Sequence, residues 1–360
     1  MNAAAPPVRV FLADDSRTSR ELMRQLCADD PRLVVVGEAG DGRQAVEQVA
    51  ALRPSIVVMD IEMPHLDGIE ATRQIMMRFP TPILVVTAHH DAHDVALSLR
   101  AVQAGALSLA PKPAGPGSPT FLQDSQRFVR LVRLLAGVHP VRRYLDVSGA
   151  EAPASQPVPV PVPEAGVRPA VPLRAVGVAA STGGPAALYR LLELLPTRLS
   201  VPVLVVQHIA DGFAPGLRSW LGGATSLPVT LAEQDEPLVR GRIYVAPDRC
   251  HLQVGRAGRV VLSDTPPIAG FRPSASVLFS SLAAAYGAGA AGVVLTGMGS
   301  DGLEGARALR QVGAPVLAQD AESSVVFGMP RAVAEAGLAT SVGTIQQLAE
   351  TLARMLPATS

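Results

Sequence analysis

Three side chains in the second half of the sequence are of the types that acyl transfer needs: Ser181, His208 and Asp301. A serine hydroxyl attacks a carbonyl only once a base removes its proton, and a histidine suits that task near neutral pH. A carboxylate then fixes the histidine tautomer and stabilises the imidazolium that forms. Ser181 lies in GVAASTGGPAAL, Gly177 to Leu188, where an apolar run turns on small residues and continues as a helix. Gly183 and Gly184 permit a tight turn after the serine. The amides that follow it, from Thr182 onward, suit an oxyanion, at about 3 kcal/mol per donor. LTGMGSDG adds a second glycine-rich turn with amide donors near Met298. The STGG turn fits a helix cap or a phosphate cradle equally well, because a helix N-terminus offers unpaired N–H groups to any anion. It is neither the G-x-S-x-G elbow nor the G-x-G-x-x-G dinucleotide turn. His251 is the other histidine of this half, and Asp301 could itself be a helix cap. Asp235, Asp248, Asp264 and Asp320 are carboxylates that spacing leaves open beside it.

The first half offers a different chemistry. Asp14, Asp15 and Asp60 follow short apolar runs, Thr87 closes another, and Lys112 stands in APKP. In an open parallel sheet the carboxyl ends of strands line the ligand crevice. Three carboxylates converging there repel one another unless a hard divalent cation neutralises them, and magnesium fits an all-oxygen set. Lys112 would add a cation over a bound anion. Taken singly, each aspartate also suits a helix cap.

Both sets depend on strands that end where the polar residues begin. VRVFLAD, LVVVGEA, SIVVMD and PILVVTA read as buried strands, alternating with the helical stretches SRELMRQLCAD, GRQAVEQVAAL and DGIEATRQIMMRF. That alternation implies a parallel sheet with right-handed crossovers. In the second half RAVGVAAS and VPVLVVQH read as strands around the helix GPAALYRLLELL. AAGVVLTGMGSDG then leads from a strand into the helix LEGARALRQVG. GRIYVAPDRCHLQVGRAGRVVLSD interrupts the pattern and predicts a β-hairpin excursion turned at RAGR, with His251 on a hairpin face. Between the halves, GAEAPASQPVPVPVPEAGVRPAVP, Gly149 to Pro172, cannot build a core. It predicts an extended spacer of about 3 Å per residue. The expected fold class is two doubly wound parallel-sheet α/β domains joined by a proline-rich linker.

Composition narrows the function. Lys plus Arg and Asp plus Glu balance at 31 each, so no overall charge steers the chain to nucleic acid or a membrane surface. No apolar run is long enough to span a bilayer, and MNAAAPPVRVFLADD lacks the charged-then-apolar pattern of a signal peptide. Cys27 and Cys250 are the only cysteines, which suits a reducing cytoplasm and no thiolate metal site.

LADDS, VVMDIEMPHLDGIEA, VVTA and KP closely resemble a response-regulator receiver domain across about the first 130 residues. That resemblance implies a flavodoxin-like fold with Asp60 as phospho-accepting nucleophile and Asp14, Asp15 and Asp60 around Mg2+. It also implies Thr87 and Lys112 as the groups that sense the phosphoryl oxygens, and a histidine kinase as phosphodonor. Leu109 stands where receivers usually carry an aromatic switch residue.

From Leu173 to Leu356 the chain resembles the catalytic domain of chemotaxis-type protein-glutamate methylesterases, the CheB family. The motifs are VGVAASTGGPAAL, VLVVQHI, YVAPDRCHL, RPSASVLFSSL, GVVLTGMGSDGLEGA and VVFGMPRAV. The resemblance implies Ser181 as nucleophile, His208 as base and Asp301 as the acid that orients it, with no cofactor at that site. The expected bounds are 1–145 for the receiver and the helix that follows it, 146–172 for the proline-rich linker and 173–360 for the esterase. The resemblance further implies demethylation and deamidation of chemoreceptor cytoplasmic helices under phosphorylation control. The rival expectation is a phosphorylation-dependent scaffold of a chemosensory array with a catalytically silent second domain. Ser276 stands where relatives often carry Asp, Phe271 where His is common, and QHIADGF replaces the frequent QHMP. These departures are expected to bear on which receptor helix fits the cleft.

Overall fold

The computed structural model describes residues 6–88, 92–138 and 171–357, with the backbone alone for 92–97. The chain divides into two compact units, 1–153 and 154–360. The expected proline-rich linker, apart from Val171 and Pro172, lies outside the described residues.

In the first unit five parallel strands alternate with five helices. The strands are β1 (Val8–Ala13), β2 (Leu33–Ala39), β3 (Ile56–Asp60), β4 (Ile83–Thr87) and β5 (Ser108–Pro111). The helices are α1 (Arg17–Ala28), α2 (Gly42–Leu52), α3 (Gly68–Arg78), α4 (Ala92–Gln103) and α5 (Phe121–Ala136). The sheet order β2-β1-β3-β4-β5 is the flavodoxin-like one, with its switch point between β1 and β3. β3 and β4 are buried along their whole length, as parallel strands covered on both faces must be. Ser16, Asp41 and Asp67 cap α1, α2 and α3 with their side chains, so capping does not fall to Asp14 or Asp60. Gly68 begins α3 with its N–H on Ile61 O at 2.8 Å. A β-carbon there would strike the Asp60 carbonyl, so only glycine lets the helix start this close to the strand end.

The second unit has a seven-stranded parallel sheet in the order β14-β13-β12-β6-β7-β9-β8. Its centre is β6 (Ala175–Ala180), flanked by β7 (Val203–Gln207) and β12 (Ala290–Val294). All three are fully buried. The outer strands are β8 (Val229–Leu231), β9 (Ile243–Val245), β13 (Val316–Gln319) and β14 (Ser341–Gly343). Helices α6 (Gly184–Leu194), α7 (Ala214–Leu221), α8 (Ala275–Tyr286), α9 (Leu303–Gln311), α10 (Met329–Glu335) and α11 (Ile345–Met355) connect or follow them. The chain first builds outward from β6 on one side and then on the other, which puts a switch point between β6 and β12.

The hairpin excursion is present but shorter than expected. β10 (His251–Val254) pairs antiparallel with β11 (Val260–Ser263), and Val254 N–H bonds Ser281 Oγ of α8 at 3.0 Å. Ile243–Val245, expected within the excursion, instead pairs in parallel with both β7 and β8. All three of its residues are buried, which a strand of the central sheet requires and a half-exposed hairpin does not.

Candidate functional site

The carboxyl ends of β12, β6 and β7 bring the three expected residues of the second unit together. Ala180 of β6 is in register with Gln207 of β7, so the next residues, Ser181 and His208, leave the sheet side by side. His208 N–H bonds Ala180 O at 2.9 Å, and Ser181 N–H bonds Thr296 O, just beyond β12, at 3.0 Å. Gln207 Nε2 donates to both Ser181 O at 2.8 Å and His208 O at 2.9 Å. One buried amide thus ties the two segments to each other. Sequence reasoning missed it; the only signal was a polar residue closing an otherwise apolar strand.

Gly183, at φ +77°, is the N-cap of α6, and a side chain there would run into Val325. The turn therefore needs glycine on both conformational and steric grounds. Gly184 N–H is committed to Ser181 O at 2.8 Å, so Gly184 shapes the turn rather than offering a donor. Among the described residues, no backbone hydrogen bond uses the N–H groups of Thr182, Gly183 or Met298.

His208 Nε2 lies 2.9 Å from Asp301 Oδ2. Asp301 is 5% exposed and accepts four further hydrogen bonds: from Ser274 Oγ (2.8 Å), Ala275 N (2.6 Å), Ser276 N (3.1 Å) and Gly302 N (2.9 Å). The capping alternative for Asp301 holds in kind. Its carboxylate covers the N-terminus of α8, whose own N-cap residue Ser274 makes no side-chain cap. Burial opposes the charge, but the His208 hydrogen bond, the His208 charge and the donors of α8 hold the carboxyl well below the ordinary range. His208 Nδ1 is buried and has no partner. The His208 ring stacks on Phe271 with centroids 3.9 Å apart and planes 7° from parallel.

Both departures in this region touch the pair itself. Phe271 covers the imidazole, and Ser276 Oγ accepts from Gly302 N at 2.8 Å beside the Asp301 carboxylate. His251, fully buried, has Pro266 O 3.2 Å from Nε2 and accepts from Ser274 N at Nδ1 at 3.2 Å. Its role is to anchor the segment before α8. The remaining aspartates serve elsewhere. Asp235 pairs with Arg259, and Asp248 takes the N–H groups of Gly212 and Ala214. Asp320 takes Ser323 N at 2.8 Å, and Asp264 accepts Arg272 through its backbone oxygen.

In the first unit Asp14, Asp15 and Asp60 each place a carboxylate oxygen within 4.8 Å of the others. Lys112 Nζ bridges Asp14 Oδ2 at 2.8 Å and Asp60 Oδ2 at 2.7 Å. Lys112 is itself tied back, its N–H bonding Thr87 O at 2.8 Å, so all five expected residues meet at the strand ends. Burial pushes the Asp60 carboxyl up to about 6, the Lys112 hydrogen bond opposes the rise and the Asp14 charge adds to it. One ammonium does not offset three carboxylates, and the all-oxygen set fits a hard divalent cation. Leu109 packs half-buried against the core of this unit.

Fold and site define a class: a receiver-type acidic pocket in one parallel α/β domain, and a Ser, His, Asp constellation at the strand ends of another. The family model for the response regulator receiver domain matches residues 10–118, and that for the CheB methylesterase matches residues 176–352. A protein-glutamate methylesterase/protein-glutamine glutaminase of Myxococcus xanthus is 50% identical over 346 residues, 96% of each chain. One of Geobacter metallireducens is 44% identical over 92% of this chain and 94% of its own. The crystal structure of the Thermotoga maritima CheB methylesterase catalytic domain is 35% identical and covers 52% of this chain and all of that one, with a TM-score of 0.50. The chain belongs to the CheB family of receiver-linked protein-glutamate methylesterases. No helix among the described residues is long and apolar enough to cross a membrane.

Proposed function

We propose that this chain is a cytoplasmic, phosphorylation-activated serine esterase that hydrolyses glutamate methyl esters on chemoreceptor helices and deamidates receptor glutamines at the same site. In this reading residues 1–145 are the receiver, 146–172 the linker and 173–360 the esterase. The observation that carries it is the state of His208, which leaves the sheet next to Ser181 with Nε2 bonded to Asp301 and Nδ1 buried without a partner. A neutral imidazole that donates Nε2–H to the carboxylate keeps a lone pair on Nδ1 for the serine proton.

Ser181 Oγ then attacks the ester carbonyl as its proton passes to Nδ1. The N–H groups of Thr182, Gly183 and Met298 receive the oxyanion. The imidazolium returns the proton to the methoxy oxygen, methanol leaves, and an acyl-enzyme ester remains on Ser181. Water, deprotonated by the same nitrogen, releases free glutamate. A glutamine passes through the same tetrahedral geometry with ammonia as the leaving group.

In the receiver Asp60 accepts the phosphoryl group from a histidine kinase, and Thr87 and Lys112 hold its oxygens. Asp14, Asp15 and Asp60 would hold Mg2+, whose charge offsets that of the carboxylates and the phosphoryl group. The test is methanol release from methylated receptor membranes, with and without a small-molecule phosphodonor and magnesium. Release by the wild type, stimulated by phosphodonor and abolished in Ser181→Ala, is expected. Release that survives in Ser181→Ala would overturn the assignment.

A further inference from the structure

Between β11 and α8 the chain makes a strap, residues 264–274, that no part of the reaction above uses. Ile268 and Phe271 exchange backbone hydrogen bonds of 3.1 and 2.9 Å. The two residues between them, Ala269 at φ +51° and Gly270 at φ +85°, form a tight reverse turn. The base of the strap is fixed from both sides by His251, which contacts Pro266 O and accepts from Ser274 N. Arg272 bonds Asp264 O at 2.7 Å and closes it further. This bracing delivers one side chain, Phe271, onto the face of His208 in a near-parallel stack at 3.9 Å. The imidazole is then held at one edge by Asp301 and across one face by Phe271, with its buried Nδ1 free of any hydrogen-bond partner.

We propose that Phe271 is a positioning residue for His208: its ring sets the imidazole plane, and its π face stabilises the imidazolium formed during turnover. This rests on the esterase reading of the site. The physical basis is that an aromatic face attracts a cation through its quadrupole, more strongly where water is excluded, and the His208 side chain is only 6% exposed. In the esterase reading the imidazolium forms as His208 takes the serine proton, so the contact acts on kcat rather than on substrate affinity.

The experiment replaces Phe271 in the full chain by leucine, by tyrosine, and by phenylalanines carrying one, two and three ring fluorines. The fluorinated series keeps the shape of the ring while depleting its π face. Two rates are read: covalent labelling of Ser181 by a fluorophosphonate, located by mass spectrometry, and methanol release from methylated receptors. Phe271→Leu is expected to lower kcat and the labelling rate about tenfold with KM within about twofold. Tyrosine should restore both, and the fluorinated chains should fall stepwise. A flat fluorinated series overturns the proposal, as does a Phe271→Leu variant whose KM alone rises. If leucine unfolds the chain, the fluorinated series still decides. Labelling that tracks fluorine number, without methanol release by any chain, would support the Phe271 role while refuting the methyl-ester substrate.

Discussion

Asp301→Asn is the sharpest probe of the site because neither orientation of the amide fits it. Oδ1 accepts from Ser274 Oγ, Ser276 N and Gly302 N, and Oδ2 accepts from Ala275 N and His208 Nε2. With NH2 in the Oδ1 position the Ser276 N–H faces a donor, stranded at about 1–3 kcal/mol, while the Gly302 N–H keeps Ser276 Oγ. With NH2 in the Oδ2 position the Ala275 N–H is stranded instead. In that orientation His208 Nε2 must accept, which moves the ring proton to Nδ1, the nitrogen that has to receive the serine proton; in either one the imidazolium loses its carboxylate. The variant also loses the anionic cap of α8, worth about 0.5–2 kcal/mol.

The expected outcome is a catalytic domain destabilised by about 2–4 kcal/mol that still folds. Its kcat/KM should fall about 10³- to 10⁴-fold, the cost of losing the carboxylate that fixes the tautomer and stabilises the imidazolium. Urea unfolding read by circular dichroism gives the first quantity and methanol release the second. A folded variant within about tenfold of wild-type activity would refute the reasoning, because the tautomer would then not depend on the carboxylate.

Two further outcomes follow from buried groups. Burial holds the Asp60 carboxyl up at about 6 against an ordinary 3.8, so between those values the native state binds more protons than the unfolded chain. Receiver stability should therefore fall as pH rises from about 4 to 6, by up to about 3 kcal/mol in chelator. Asp60→Asn should flatten that slope, and a variant that keeps it would place the titration elsewhere. Cys27 is fully buried, and burial pushes its thiol up to about 12, whereas Cys250 is only half-buried. Iodoacetamide at pH 8 should therefore label Cys250 alone until urea is added; native labelling of both cysteines at equal rates would contradict the packing around α1.

What the sequence made legible was the set of polar residues that close apolar strands. A parallel sheet buried on both faces writes each strand as a short apolar run, so Asp60, Ser181 and His208 stand out where those runs stop. The rest depends on contacts between distant segments that leave no local pattern. Ile243–Val245 is too short to show a period, so only its pairing with β7 reveals that it belongs to the central sheet. Asp301 is by type a helix cap, but the sequence does not show that the helix it caps is α8, which precedes it in the chain and begins at Ala275. His251 stands on the hairpin as expected, in β10, and from there it hooks the strap that carries Phe271. The last two facts have one cause: the strap folds back over the strand ends, so the carboxylate that orients the base also starts the helix leaving the strap. A substitution that loosens the N-terminus of α8 should therefore act on His208 from two sides, through Asp301 at its edge and through Phe271 on its face.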